Sequence, residues 1–394
     1  MDRVGLLKRI LAGIGTLALT VGITAAVLAF WAIALSIQTS RSAGSLAPDY
    51  IPTRSETMEL VAGSLGLAGA AAVAFFFVLI ARVRARGRAL QIICNAAICV
   101  LMTHIVVLAL FGGGEWYLSR HPQSSSINFT LSSRAWTNRS WGPCNSAGLR
   151  DKEFQYAGKD VILVIGDSLA AGHGVEREER FSSFLAQSFP DRDVWTAAKP
   201  GWDTRDELSL LKEMGDSGQL DHVSTVILQY YPNDIERAAN VPSPAITPPP
   251  YWSQRSYVGD FIYWRWYALE WKEQWSQYTD GLLAAYESNE SWKNHEYDLT
   301  LFLARCRRRN IRLVVVVFPM IRLQDRSRPA TTKVAQFFES KGIEVINLSD
   351  RLPKGVPISE LAANSTDDHP SAKFHQYVAE LISATLRRPA DAPK

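Results

Sequence analysis

Four short stretches of this sequence hold residue types that could together activate a hydroxyl. The first is Gly166-Asp167-Ser168-Leu169, followed by Ala170-Ala171-Gly172-His173-Gly174-Val175. A serine nucleophile needs a base to take its proton, and the base needs an orienting carboxylate. The far end of the chain holds both types in Asp367-Asp368-His369-Pro370. Asp367, two residues before His369, could reach the imidazole from the same loop. Pro370 suits the first position of a helix through Phe374, Tyr377, Val378 and Leu381, with His369 at its cap. Between these ends lie Gly201, in Ala197-Ala198-Lys199-Pro200-Gly201-Trp202, and Asn233, in Leu228-Gln229-Tyr230-Tyr231-Pro232-Asn233-Asp234. A glycine amide and an asparagine side-chain amide both suit donation to an oxyanion. Each stretch also has a plain reading. Gly, Asn and Asp-Ser pairs favour turns, and an Asp near a His is often a cap beside a surface ring. Ser168 is not in a Gly-x-Ser-x-Gly elbow, because Ala170 takes the last glycine position.

The elements that must position these residues begin at Lys159. Val161–Ile165, Val194–Ala197, Thr225–Tyr230, Arg312–Phe318 and Glu344–Asn347 read as buried parallel strands. Helical stretches fall around Phe181–Ser188, Arg205–Met214, His295–Arg308 and Thr332–Lys341. Strands alternating with helices predict an α/β domain with a parallel sheet covered on both faces. Ser168, Gly201 and Asn233 then each follow the carboxyl end of a strand, where open α/β sheets bind ligands.

The order Ser168, Gly201, Asn233, His369 is the order that names the SGNH (GDSL-type) hydrolases. Gly166-Asp167-Ser168-Leu169 looks like that family's first block, and Pro232-Asn233-Asp234 resembles its Gly-x-Asn-Asp block. Asp367-x-His369-Pro370 resembles its last block. The resemblance covers about Lys159 to Leu386. It implies a flavodoxin-like α/β/α sandwich, no cofactor and no metal. It also implies Ser168 as nucleophile, His369 as general base and then acid, and Asp367 as its partner, with Asp368 the alternative. The amides of Ser168 and Gly201 and the Asn233 side chain would form the oxyanion hole. Tyr231 stands where the family's third block has glycine, a departure that would reshape the mouth of the site.

The rest of the chain is different in character. It has 394 residues and a net charge of +3, so no basic excess points to nucleic acid. Apolar runs from about 11 to 37, 60 to 80 and 90 to 111 each approach the ~20 residues that cross a bilayer. The first is too long for a signal peptide, and two more follow it. Arg3, Lys8 and Arg9 precede the first run, and Arg82, Arg84, Arg86 and Arg88 separate the second from the third. Positive residues stay on the cytoplasmic side, so three crossings put everything after about Gly113 outside the cytoplasm. The expected organisation is a membrane anchor over 1–113, a spacer over 114–158, a hydrolase domain over 159–388 and a tail over 389–394. An oxidising compartment would allow one bridge, Cys144 to Cys306, which spacing alone does not establish.

An aromatic insertion occupies about 240–294. Trp264, Tyr267, Trp271, Trp275 and Tyr278 recur there at helical spacing. It reads as a helical cap, as a wall of a substrate groove, or as a helix in the membrane interface. Similar insertions occur in membrane-tethered SGNH proteins linked to polysaccharide modification. The leading expectation is therefore an extracytoplasmic esterase, removing an acyl group such as acetyl from an envelope or secreted glycan, or cleaving a lipid ester. One alternative is an O-acyltransferase that passes the acyl group from Ser168 to a glycan hydroxyl, working with envelope-polysaccharide machinery. Another is a non-catalytic binding module of a membrane complex. The topology has a direct test: a periplasm-dependent reporter fused after Lys394 should be active, and a cytoplasm-dependent one silent.

Overall fold

The computed structural model describes residues 54–120, 144–244, 255–353, 355–363 and 369–388. The chain divides into two compact units. The first contains two long helices, α1 (Arg54–Arg84) and α2 (Arg88–Arg120). Both are long and apolar enough to cross a membrane. The expected first span, 11–37, lies outside the described residues. Phe76, Phe77 and Leu110 on these helices are each more than 60% exposed, an outward apolar surface that suits lipid better than water. Small residues line the α1–α2 contact. A Cβ on Gly112 would stand 3.2 Å from the Ser64 Cβ, so the helices approach closely there. The Arg82 Nε donates to the Asn95 Oδ1 (2.7 Å) beside the turn that joins them.

The same unit holds the first turns of the helix that carries the aromatic stripe. The Glu115 carboxylate near the end of α2 accepts from the amides of Tyr257 and Val258 (3.0 Å each) and from the Ser256 hydroxyl. An acidic group at a helix start satisfies the unpaired amides there.

The second unit is built on a five-stranded parallel sheet. Its strands are β1 (Val161–Gly166), β2 (Asp193–Ala198), β3 (Val223–Tyr230), β4 (Arg312–Val317) and β5 (Glu344–Asn347). Their order is β2-β1-β3-β4-β5, and every pairing is parallel. This is the flavodoxin-like order of doubly wound folds. All five expected strands form, within one or two residues of the expected ends.

The sheet separates two apolar clusters, and strand periodicity decides which residue enters which. Leu163, Ile165, Val315 and Val317 join one, while Ile162, Val164, Val314 and Val316 join the other. Side chains alternate across a strand, so a β-branched run covered on both faces must be apolar throughout. Each fully buried Val, Ile or Leu contributes roughly 1.5–3 kcal/mol. The first cluster is covered by α5 (Thr204–Asp216), α7 (Asn289–Arg308), α8 (Gln324–Ser340) and the end of α6 (Tyr257–Glu287). The second is covered by the short α3 (Ser168–Ala171), by α4 (Phe181–Ser188) and by α9 (Ala372–Leu386).

One expectation needs correction. Pro370 does not open the last helix, because Ser371 is its cap and accepts from the Phe374 amide (3.1 Å). Pro370 instead bridges to Ala362, and the Ala363 amide donates to the His369 carbonyl (2.8 Å). His369 is thus held by a short antiparallel bridge rather than by a helix start. Cys144 and Cys306 are unbridged, the first exposed and the second buried on α7.

His375, on α9, is completely buried and its Nδ1 accepts from the Phe181 amide on α4 (3.2 Å). Burial lowers its pKa to about 3, with the nearby His369 as the next cause. The folded protein keeps this ring neutral, whereas the unfolded chain protonates it below about 6.5. Its contribution is therefore intact above pH 6.5 and is lost as pH falls towards 3. His375→Asn, whose Oδ1 can replace the Nδ1 acceptor, should be less acid-labile than wild type in that window, measured as ΔTm against pH.

Candidate active site

β1 ends in Gly166, and the chain turns into α3 with Ser168 as its first residue. The turn is fixed from three sides. The buried Asp167 side chain caps α3 by accepting from the Leu169 amide (2.8 Å). Gln229, fully buried near the end of β3, accepts through its Oε1 from the amides of Asp167 (3.0 Å) and Ala170 (3.2 Å). Gly172 closes the helix in the left-handed conformation at φ +74, and the His173 amide donates back to the Ser168 carbonyl (2.9 Å). Gly166 is required by the same arrangement, since a Cβ there would lie 2.3 Å from the Gln229 Oε1. Ser168 itself is half-buried, with its hydroxyl beyond the sheet edge.

The His369 Nε2 stands 2.8 Å from the Ser168 Oγ. That is the distance a base needs to take the hydroxyl proton. With Nε2 used towards serine, an orienting carboxylate would have to meet Nδ1–H. Asp367 and Asp368 lie outside the described residues. The His173 ring packs on the His369 ring, with centroids 4.4 Å apart and planes tilted by 43°.

Gly201 and Asn233 come to neighbouring loops. Lys199-Pro200-Gly201-Trp202 forms a turn closed by the Trp202 amide on the Lys199 carbonyl (3.2 Å). Pro200 at its second position and Gly201 at φ +79 at its third match a type II turn. Gly201 is exposed, and nothing lies within 4 Å of where a Cβ would be, so open space lies beside its backbone. The Asn233 Nδ2 donates to the Trp202 carbonyl (3.3 Å), which ties the post-β3 loop to this turn. The Asn233 side chain also hydrogen-bonds Asp167, the neighbour of Ser168. Its Oδ1 has no partner among the described residues, so both contacts use amide protons, and an oxyanion would take one of them over. The structure thus gathers Ser168, His369, Asn233 and the Gly201 turn at the carboxyl ends of β1, β2 and β3.

The Asn233 loop has a further support that no local sequence pattern marks. The Tyr286 hydroxyl, at the end of α6, donates to the Pro232 carbonyl (3.0 Å). It also meets the Tyr230 hydroxyl (2.5 Å), which in turn contacts the His295 Nε2 (2.7 Å). All three side chains are buried, and burial lowers the His295 pKa to about 3. Part of the aromatic insertion therefore holds the loop that carries Asn233. Within α6, Tyr278 is buried while Trp266 and Trp275 are half exposed.

Beneath the site lie acids that no sequence motif marks. Glu207 on α5 is fully buried, and neither of its carboxyl oxygens has a hydrogen-bond partner among the described residues. Burial pushes its pKa well above the carboxylate range, and repulsion from Asp234 and Asp167 adds to this. Burial raises Asp234 likewise, with Asp167 the next cause. A buried carboxyl without a countercharge is held as the neutral acid. Only the later fold shows that these residues converge, because nothing in their spacing links 167, 207 and 234. Among the described residues no group of three or more His, Cys, Asp or Glu is placed to hold a metal ion.

No family model and no curated protein matches the sequence. Solved structures show a distant likeness. TesA is 12% identical, with a TM-score of 0.38 over 58% of this chain and 98% of its own. The lipase Lip_vut3 from a goat rumen metagenome is 13% identical, with 0.40 over 59% and 100%. The psychrotrophic esterase EstA from Pseudoalteromonas sp. is 14% identical, with 0.36 over 58% and 97%. Similarity at this level leaves the reading of the site to its geometry.

Burial raises the Asp167 pKa to about 6, against its hydrogen bond from Leu169 and the attraction of His369. The native state therefore holds this proton between about pH 4 and pH 6, where the unfolded chain has released it. Stability from this group falls as pH rises through that window, by on the order of 3 kcal/mol. Asp167→Asn keeps an oxygen for the Leu169 amide and cannot ionise. The wild-type-minus-variant stability should therefore decline from pH 4 to pH 6 in denaturant titrations.

Proposed function

We propose that the chain is a membrane-anchored serine esterase of the SGNH type, with Ser168 as nucleophile. The observation that carries this reading is the 2.8 Å contact between the His369 Nε2 and the Ser168 Oγ, at the carboxyl edge of a parallel sheet. The two residues stand 201 positions apart in the sequence.

In the proposed reaction His369 takes the Ser168 proton as the Oγ bonds to the ester carbonyl carbon. The carbonyl oxygen becomes an oxyanion. It receives the amides of Ser168 and Gly201 and an amide proton that Asn233 turns from its contact with Trp202 or Asp167. Collapse breaks the bond to the leaving alcohol, which takes its proton from His369. The acyl group is left on Ser168. Water, activated by His369 in the same way, then releases the acid. Asp367 is proposed to hold the imidazole through Nδ1–H, and the buried Glu207 and Asp234 stay neutral beside the developing oxyanion. The substrate is proposed to be an acylated glycan of the cell envelope or a secreted one, with a lipid ester the other candidate. In this reading the arginine loop at 82–88 is cytoplasmic, and the hydrolase unit lies in the periplasm or outside the cell.

The test is fluorophosphonate labelling of the purified protein, followed by assay of acids released from acylated sugars and lipids. Labelling should occur on wild type and vanish in Ser168→Ala. Asn233→Ala should lower kcat by roughly 10²–10³-fold if its amide holds the oxyanion. Wild type that is folded yet resists labelling would overturn the esterase reading.

A further inference from the structure

The segment before the first strand reaches the nucleophile turn. The sequence there, Cys144 to Gln155, shows no helical or strand period and looks like a spacer. In the structure it lies along the edge of β2 that pairs with no other strand. Phe154 stacks on Trp195 (5.1 Å between centroids, 9° between planes), and Lys152 pairs with Asp193. The Asp151 carboxylate accepts from the Thr196 amide of β2 (2.5 Å) and from the Arg180 guanidinium (2.8 Å). Arg180 also donates to the Arg150 carbonyl. An unpaired sheet edge is covered in this way, and the backbone at 150 is pinned.

What this pinning delivers is the Arg150 side chain, only 1% exposed. A guanidinium costs several kcal/mol to bury unless its donors are met. Here Nη1 donates to the carbonyls of Ala171 (3.1 Å) and Gly172 (2.7 Å), and Nη2 to that of Val175 (3.0 Å). Burial lowers its pKa to about 10, which leaves it charged at neutral pH. The three acceptors have a common place. They are the carbonyl end of the one-turn helix that starts at Ser168, and the far side of the Gly172-His173-Gly174 loop. Both glycines are at positive φ, +74 and +102, so this loop has little rigidity of its own. Between them His173 rests on the His369 ring.

We infer that Arg150 is a positioning residue of the active site, which fixes the 171–175 loop by a fork onto three carbonyls and thereby holds Ser168 and the His173–His369 contact in register. This rests on the proposed roles of Ser168 and His369. It adds that the catalytic geometry is set partly by chain that precedes the α/β core.

The experiment uses the full chain in detergent, with kcat and KM on an acyl ester and the rate of fluorophosphonate labelling. Arg150→Met should lower kcat and the labelling rate about 10²-fold, the scale of a small misplacement of reacting groups, with KM little changed. Arg150→Lys, a point charge without the fork, should recover less than a tenth of the lost rate. Guanidinium at millimolar concentrations should accelerate Arg150→Ala but not wild type. Lys152→Ala, which loosens only the edge cover, should leave kcat unchanged. If Arg150→Met does not accumulate, His173→Ala supplies the same kcat-against-KM test on the loop itself. Wild-type labelling rates in Arg150→Met, or a loss confined to Tm, would overturn the inference. Failure of wild type to label at all would instead strike the esterase reading.

Discussion

A helix of one turn cannot hold its own shape, yet Ser168 stands at the start of one. Fixing the first turn costs several dihedrals for a single hydrogen bond, so such a segment persists only where outside groups complete it. Here those groups come from the residue just before the helix and from two distant parts of the chain. Asp167 caps the start, Gln229 on β3 accepts from two amides, and Arg150 takes the carbonyls at the end. The serine is placed by these bonds and by the burial of Leu169, Ala170 and Ala171 against the second apolar cluster. The sheet supplies the frame, but the polar contacts decide where the hydroxyl points.

Those contacts explain why so much polar material is buried beside the site. Asp167, Gln229, Asp234 and Glu207 are all shielded from water. Burial of this kind works against the stability of the ionised acids, and the raised values of Asp167, Glu207 and Asp234 show it. Fields inside a protein act more strongly than in water, so the charge state of these groups bears on any oxyanion formed above them. The Tyr230–Tyr286–His295 cluster serves a second loop in the same manner, through the Pro232 carbonyl that precedes Asn233.

The aromatic helix α6 is not one functional object. Its first turns are capped by Glu115 within the unit of the two apolar helices, and Tyr286 at its end supports the Asn233 loop of the sheet unit. The Trp and Tyr spacing predicted a helix, and a helix forms. Which rings are buried was not legible from spacing, since Tyr278 faces the core while Trp275, three residues earlier, is half exposed.

The sequence by itself determined the sheet. Runs such as Val161–Ile165 and Arg312–Phe318 are apolar at consecutive positions, and only a strand covered on both faces uses such a pattern. It also placed Ser168, Gly201 and Asn233 at strand ends, because a β-branched run stops where those residues begin. The two apolar helices were legible for the same reason of local composition. Only the tertiary structure brought His369 to Ser168 and seated it beside the Ala362–Pro370 bridge instead of at a helix cap. The same holds for Arg150, Gln229 and Glu207. The hydrogen-bond partners of Arg150 and Gln229 lie 21 to 62 positions away, and bonds over that separation leave no period in the sequence. Local pattern reports what each segment can become, whereas the burial of a guanidinium or a carboxyl depends on what the rest of the chain folds over it.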